Sequence, residues 1–267
     1  MGAEDQRNEY VQSFERGLAV ISSFDGSPLT LSEVAQRVNM PPAAARRYLS
    51  TLTQLGYFAH RNGRFSAQAK LLELSNPYFG ANDSTLRAQA TLMELTQQLN
   101  ETTSLTQLEG SEVVNVLDIT SKHELSIQIV PGRKLPGYCT AMGRAMLSLL
   151  SAKEVRTILE ETHLVRHTIH TLTRLEDILG QIQLAADQGY ALVEEEHTLG
   201  IRTMSIAFRL PQGQLAALSA PTPTARETRQ EYITRVQGPL MEAVASMKRA
   251  TAKPETTDAG PVPLNVS

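Results

Sequence analysis

Between Leu31 and Ser66 a run of local signals leaves this chain few choices of fold: a short helical pattern, a tight turn, a second helical pattern, and an Asn-Gly dipeptide between two β-like runs. Thr30 with Glu33 three residues on makes a capping box, in which the threonine hydroxyl accepts from an early amide and the carboxylate returns to the cap. The helix LSEVAQRV starts there, and Asn39-Met40 makes the turn. Pro41-Pro42 supplies helix-ready φ for AAARRYLSTLTQLG, which Gly56 closes. Two short helices joined by a tight turn form a helix-turn-helix pattern. In GYFAHRNGRFS, Asn62-Gly63 suits a type I′ turn, which needs positive φ at both central residues, and Arg61 and Arg64 flank it. The resulting hairpin is a basic wing, suited to lie along a phosphate backbone or in a minor groove.

On the second helix, at 100° per residue, Ala45, Leu49 and Leu52 form the buried side with Tyr48 at its edge. Ala43, Arg47 and Ser50 point away, and Arg46 sits on the flank. Small residues at the start of a recognition helix let its backbone approach the groove, while arginine donates to guanine edges or phosphates. Ala43, Ala44, Arg46, Arg47 and Ser50, with Arg61 and Arg64 of the wing, are therefore the candidate DNA contacts. Two helix arginines alone would more readily mark a solvated face; the basic hairpin behind them favours DNA. From Thr30 to Lys70 six basic residues face the single carboxylate of Glu33, a local net charge of +5 in a chain whose net charge is −3. A basic segment on an acidic body suits phosphate attraction at one end. Upstream, SFERGLAVISSF sets Phe14, Leu18, Ile21 and Phe24 at helical spacing, which predicts one apolar stripe facing inward.

A length of 267 residues and 41% apolar content suffice for two domains. The expected organisation is a winged helix-turn-helix over 1–80, a linker helix over 81–100, a second domain over 101–250 and a tail over 251–267 with the composition of a disordered segment. In the second domain TSLTQLEG, SEVVNVLDI and LSIQIV read as strands, with Glu109-Gly110-Ser111 a tight hairpin. The helix TAMGRAMLSLL follows, and Ser151 with Glu154, and Thr173 with Glu176, form capping boxes on two more helices. Strands return at YALVEE, RTMSIAFRL and QLAALSA, and a helix over ARETRQEYITRVQGPLMEAVASMKRA closes the domain. This order predicts an α+β fold with helices segregated from a mixed sheet. The opening MGAEDQRNEY has no apolar signal core, no stretch approaches the roughly 18 apolar residues of a membrane span, and Cys139 is the one cysteine. A cytoplasmic protein without a membrane partner is expected.

The helix at Thr140 opens with small residues, so its amides and positive dipole end offer a place for a carboxylate; equally, Thr140 caps its helix and Ala141 packs. An enzyme is the first rival, but no nucleophile elbow, phosphate loop, dinucleotide fingerprint or His-Glu-x-x-His is present. Cys139 at a helix start would have a lowered pKa favouring a thiolate, yet no partner base is evident. No catalytic residue, resident metal or cofactor is assigned. A metal-responsive regulator is the alternative, because His163, His167 and His170 would share a face if their segment were helical. THLVRHTIHTLT is rich in β-branched residues and reads better as a loop with solvated histidines.

Over nearly its whole length the chain resembles the IclR family of bacterial regulators. The resemblance is carried by QSFERGLAVISSF, LTLSEVAQRVNMPPAAARRYLSTLTQLGY, PGYCTAMGRAML and GYALVEEEHTLGIRTMSIAF. PGYCTAMGRAML is similar to the subgroup regulating protocatechuate and β-ketoadipate pathways; Thr203 departs from the small Cys, Ser or Ala usual after the Gly-x-Arg step. The resemblance implies a GAF-like α/β effector domain whose pocket is built from Thr140, Ala141, Met142, Ile201, Thr203 and Ser219. Its implied effector is an aromatic acid such as protocatechuate, 4-hydroxybenzoate or terephthalate, or a ring-cleavage product such as β-ketoadipate. Arg202 and Glu196 match family positions, with a structural role favoured for both. The expected partners are a double-stranded DNA operator, a small aromatic or dicarboxylic acid, and further copies of the chain in a dimer or tetramer, paired across a pseudo-palindrome.

Overall fold

A computed structural model describes residues 10–75, 83–123 and 131–251. The chain divides into two compact units, Met1–Ala81 and Asn82–Ser267. The first holds α1 (Gln12–Ser22), β1 (Leu29–Thr30), α2 (Leu31–Arg37), α3 (Pro42–Gln54), β2 (Phe58–Arg61), β3 (Arg64–Ala67) and a 3-10 turn over Ala69–Ser75. The capping box at Thr30 forms as expected: its amide donates to Glu33 Oε2 at 2.7 Å and its hydroxyl accepts from the Glu33 amide at 3.3 Å. Asn62 and Gly63 take φ of 51° and 74°, the two positive values that turn β2 back into β3. The strands pair antiparallel in the order β1-β3-β2. Val20, Val34, Leu49, Leu52, Phe58 and Phe65 form the core beneath them.

The expected stripe on α1 is not the buried one. Phe14 and Leu18 are 67% and 46% exposed, while Val20 is fully buried and Ile21 and Phe24 pack at the core's edge. The face turned inward is Gly17, Val20, Ile21 and Phe24, at i, i+3, i+4 and i+7; Gly17 lies against Tyr48 of α3, where a methyl group would sit 3.8 Å from the ring. A glycine carries no apolar signal, so the pattern pointed to the neighbouring row.

The second unit begins with α4 (Asp83–Leu99). This helix lies within the segment expected as a linker helix over 81–100, and Leu92, Leu95 and Leu99 are part of the second unit's core. There follow β4 (Thr103–Glu109), β5 (Glu112–Ile119), β6 (Lys134–Pro136), α5 (Ala141–Leu147), α6 (Ala152–Glu160), α7 (Leu175–Gln188), β7 (Ala191–Glu194), β8 (Ile201–Arg209), β9 (Leu215–Pro223) and α8 (Arg229–Thr251). The sheet runs β6-β5-β4-β9-β8-β7, and every pairing among the described strands is antiparallel, so the mixed sheet expected from sequence is corrected. The strand expected at LSIQIV and the tail over 252–267 lie outside the described residues.

Alternation along the strands sends Met204, Ile206, Phe208, Leu218 and Ala220 to one face, where α4 and α8 cover them with Leu92, Leu95, Tyr232, Val236 and Leu240. The odd-numbered positions turn the other way, and Ala207, Leu215 and Ala217 meet Met142 and Met146 of α5. Helices therefore cover both faces of the sheet. Tyr232 fastens the first layer: its hydroxyl donates to the Ala220 carbonyl and accepts from the Met204 amide at 2.8 Å. On the second face α5 comes so close to the loop before it that a Cβ on Gly143 would stand 2.1 Å from the Gly137 carbonyl oxygen; only glycine fits. The Ser151 capping box forms, with the Ser151 amide donating to Glu154 Oε2 at 2.9 Å. The one proposed at Thr173 does not: Arg174 is the cap residue without a side-chain bond, and Glu176 accepts from Arg156 of α6 at 3.0 Å. A long-range guanidinium outcompetes the local amide for that carboxylate. No described helix is long and apolar enough to cross a membrane.

Candidate functional site

In the first unit α3 turns Ala43, Arg46, Arg47 and Ser50 to solvent, with Ala44 half-buried, while Ala45, Leu49 and Leu52 anchor it. The guanidinium groups of Arg46, Arg47 and Arg61 make no hydrogen bond or ion pair among the described residues. Arg64 differs: it donates to the Pro28 carbonyl at 3.0 Å and lies 3.5 Å from Glu33 Oε2. Hydrogen bonds from the Thr30 amide and hydroxyl, and then the Arg64 charge, hold the Glu33 carboxyl below its usual range, so it stays ionised to anchor the wing. Arg61 and Arg64 stand directly opposite each other at the hairpin end. Like charges facing across strands repel, and an anion between or beside them removes that cost. An exposed helix opened by small residues, flanked by unpaired arginines and a doubly basic hairpin, is chemically a phosphate-binding surface.

The second unit contains a cavity of about 320 Å³ between the start of α5 and the ends of β7, β8 and β9. It sits at the lower end of the roughly 300–1,000 Å³ typical of small-molecule sites. Two other depressions are less suited: one of about 20 Å³ beside Gln181 is too small, and one of about 610 Å³ is an open groove between Leu108, Leu150, Ile158 and Leu215. Of the six residues expected at a ligand site, Thr140, Ala141, Met142, Ile201 and Thr203 line the cavity. Ser219 does not; Pro221, two residues along the same strand, takes that part of the wall. Ser219 is fully buried on that sheet face, and its hydroxyl has no hydrogen-bond partner among the described residues. A buried hydroxyl left unsatisfied costs free energy that a ligand or water can recover.

Thr140 is already committed. Its hydroxyl accepts from the Gly143 amide at 3.3 Å and donates to the Pro136 carbonyl at 2.9 Å, so it caps α5. Glu196, also in the wall, is bound to Arg144 through two bonds of 2.6 and 2.7 Å and accepts from the Leu172 amide at 3.0 Å. Arg144 is 2% exposed and also donates to the Tyr138 carbonyl at 2.8 Å. Such a buried pair needs further hydrogen bonds around it, and here the Tyr138 carbonyl and the Leu172 amide supply one to each partner. Arg202 likewise is spent on Glu194 at 2.5 Å and on the Glu227 carbonyl at 3.0 Å. Both residues matching family positions therefore hold the fold.

Sequence reasoning did not place Arg133, Cys139, Glu195, His197 and Thr198 in the wall, which they line together with Leu135 and Val193. The charged loop PGRKLP just before α5 was the available signal for the first. His197 is held below its usual range by burial, then by the neighbouring His167 and Arg133, so its imidazole is neutral at pH 7. Cys139 is corrected: burial pushes its thiol up to about 12, which removes any thiolate chemistry. The histidine alternative also fails geometrically. Residues 163–170 are not helical, and among the described residues no group of three or more His, Cys, Asp or Glu is placed to hold a metal. His167 instead turns to His197, with ring centroids 5.0 Å apart.

Comparison with known proteins agrees with both units. Residues 13–61 match the IclR helix-turn-helix domain, and residues 81–249 match the family described as bacterial transcriptional regulator IclR C-terminal. The Pca regulon regulatory protein of Pseudomonas putida is 32% identical over 239 residues, covering 88% of this chain and 82% of that protein. The p-hydroxybenzoate hydroxylase transcriptional activator of Acinetobacter baylyi is 30% identical over 254 residues, covering 92% of this chain and 93% of that one. A crystal structure of a transcriptional regulator from Rhodococcus sp. RHA1 superposes with a TM-score of 0.80 at 31% identity, over 91% of this chain and 99% of that chain. The chain belongs to the IclR family of DNA-binding bacterial transcriptional regulators.

Proposed function

We propose that this regulator binds its operator through α3 and the β2–β3 wing, and that a small aromatic acid of the protocatechuate or 4-hydroxybenzoate kind, held in the α5–β8 cavity, shifts that binding. The observation that carries the reading is the cavity itself. Its walls bring the apolar Ala141, Met142, Val193, Ile201 and Pro221 together with charged and polar groups, a combination that suits a ring bearing charge at its edge. The names of the two relatives, one for the Pca regulon and one for p-hydroxybenzoate hydroxylase, support the same ligand class. On the first unit Ala43, Ala44, Arg46, Arg47 and Ser50 meet the groove and Arg61 and Arg64 the backbone. The exposed Phe14 and Leu18 on α1, with Tyr10 and Val11, offer an apolar face for a second copy, which would pair two α3 helices across a palindrome. The setting is the cytoplasm.

To act, the acid must bind one conformation of the protein more tightly than another. A thermal-shift screen of the full chain against aromatic acids and open-chain dicarboxylic acids tests the ligand class, because a native-state ligand raises the midpoint by mass action. A selective rise with 4-hydroxybenzoate or protocatechuate is expected. A rise with adipate alone would replace the aromatic acid by its ring-cleavage products, and a rise with divalent metals alone would sink the acid sensor.

A further inference from the structure

We propose that Arg133 is the residue that recognises the effector's carboxylate, so that the acid lies in the cavity with its charged end toward the loop before β6 rather than on the start of α5. The assignment rests on the acid-sensor reading and goes beyond it by fixing which group supplies the opposite charge. It follows from what the charged groups and the helix cap in the wall already do. The Thr140 hydroxyl is used twice within the chain, and its acceptor role takes the Gly143 amide. Glu196 is closed by Arg144. Glu195 accepts from the Gly200 amide at 2.7 Å and, as an anion, repels a carboxylate. The Cys139 thiol is fully buried and carries no charge, and the His197 ring spends Nδ1 on Thr198 at 3.0 Å. Arg133 alone brings a permanent positive charge to the cavity without a hydrogen bond or ion pair among the described residues.

Its backbone is held while its side chain is free. The Arg133 carbonyl accepts from the Asn115 amide at 3.0 Å, and the Gly132 amide donates to the Asn115 carbonyl at 2.7 Å. The next residue, Lys134, is already in β6 and pairs with Val114 of β5. The guanidinium therefore swings from a fixed point at the cavity edge. Its planar fork matches the two oxygens of a carboxylate, which an ammonium at the same place does not. Lys134, its basic neighbour, is unavailable because it pairs with Glu109 at 3.1 Å and Glu112 at 3.5 Å.

The test is calorimetric titration of the full chain, wild type, Arg133→Gln and Arg133→Lys, with 4-hydroxybenzoate, its neutral amide 4-hydroxybenzamide, and adipate. Arg133 is exposed and has no hydrogen bond or ion pair from its side chain among the described residues, so the variants should melt with the wild type when ligand-free. Arg133→Gln is expected to weaken 4-hydroxybenzoate about 10- to 100-fold, the range for losing hydrogen bonds to a charged group. Arg133→Lys should recover part of the loss, and the acid's advantage over the amide should shrink in Arg133→Gln. Undiminished 4-hydroxybenzoate binding in Arg133→Gln would overturn the assignment and leave the aromatic sensor standing. Equal weakening of acid and amide would also overturn it, since a charge reader discriminates between them. Wild-type binding of adipate but not 4-hydroxybenzoate, lost in Arg133→Gln, would overturn the aromatic reading and support Arg133. Absence of any acid binding by the wild type would overturn both.

Discussion

The arginines of the two units are used in opposite ways. On α3 and the wing, Arg46, Arg47 and Arg61 stand in solvent with no partner among the described residues, and Arg61 even faces Arg64 across the hairpin. In the second unit Arg144 and Arg202 are buried, at 2% and 5% exposure, and every strong contact they make is to a carboxylate or a carbonyl of the same chain. The first arrangement leaves charge uncompensated for an absent polyanion; the second spends charge on shaping a cavity and leaves Arg133 over. Substitutions of Arg46, Arg47 or Arg61 should therefore change binding with little effect on stability, and most substitutions near the cavity should change both.

The largest effect expected is at the buried pair. Arg144→Met strands the Glu196 carboxylate and should cost about 3–5 kcal/mol, read in urea denaturation as a lower midpoint. A near-neutral result would mean the pair is not what orders the cavity wall. Next is Gly143→Ala, whose new methyl group would overlap the Gly137 carbonyl. Overpacking of this kind costs about 1–3 kcal/mol, and acid binding should fall with it because α5 must move. Arg47→Ala should leave the denaturation midpoint where it is and weaken operator binding by about tenfold, with a shallower salt dependence. Equal loss of stability would erase the contrast between the units. Within the wing, Arg61→Ala should weaken DNA binding and leave the midpoint unchanged or slightly raised, by removing a like-charge pair. Arg64→Ala should weaken DNA binding and lower the midpoint slightly, through its lost tie to Pro28 and Glu33.

The smallest is a pH effect. The His197 pKa is lowered in the native state, below its ordinary 6.5, so the unfolded chain binds more protons there as the pH falls. Its contribution to stability is fully present above about 6.5 and is lost as the pH drops from there through the lower native value. Melting the ligand-free protein between pH 7.5 and 5 should show a declining midpoint, with a flatter decline in His197→Gln.

What was legible in the sequence was local. The capping boxes at Thr30 and Ser151, the Pro41-Pro42 helix start and the Asn62-Gly63 turn each depend on residues within four positions, and each forms. Thr173 with Glu176 had the same local signature and failed, because Arg156 is 20 residues away in sequence and close in space. The α1 stripe was misjudged because a glycine at the packing face is silent in an apolar pattern. The cavity was legible by resemblance at Thr140, Ala141, Met142, Ile201 and Thr203, yet Arg133 and His197 were not, since a loop and a strand end meet there only after the sheet has closed. Strand direction was also hidden: alternation gives the faces of a strand and says nothing of which neighbour it pairs with.

An acid in the second unit's cavity should change how the first unit holds DNA. This is tested most directly by measuring operator affinity, on a duplex selected by this protein from a random pool, with and without saturating 4-hydroxybenzoate at fixed salt. A change of roughly 5- to 150-fold in one direction is expected, the usual size of such coupling. The same operator must then change affinity for the acid by an equal factor. An unchanged operator Kd with the cavity demonstrably filled would contradict it.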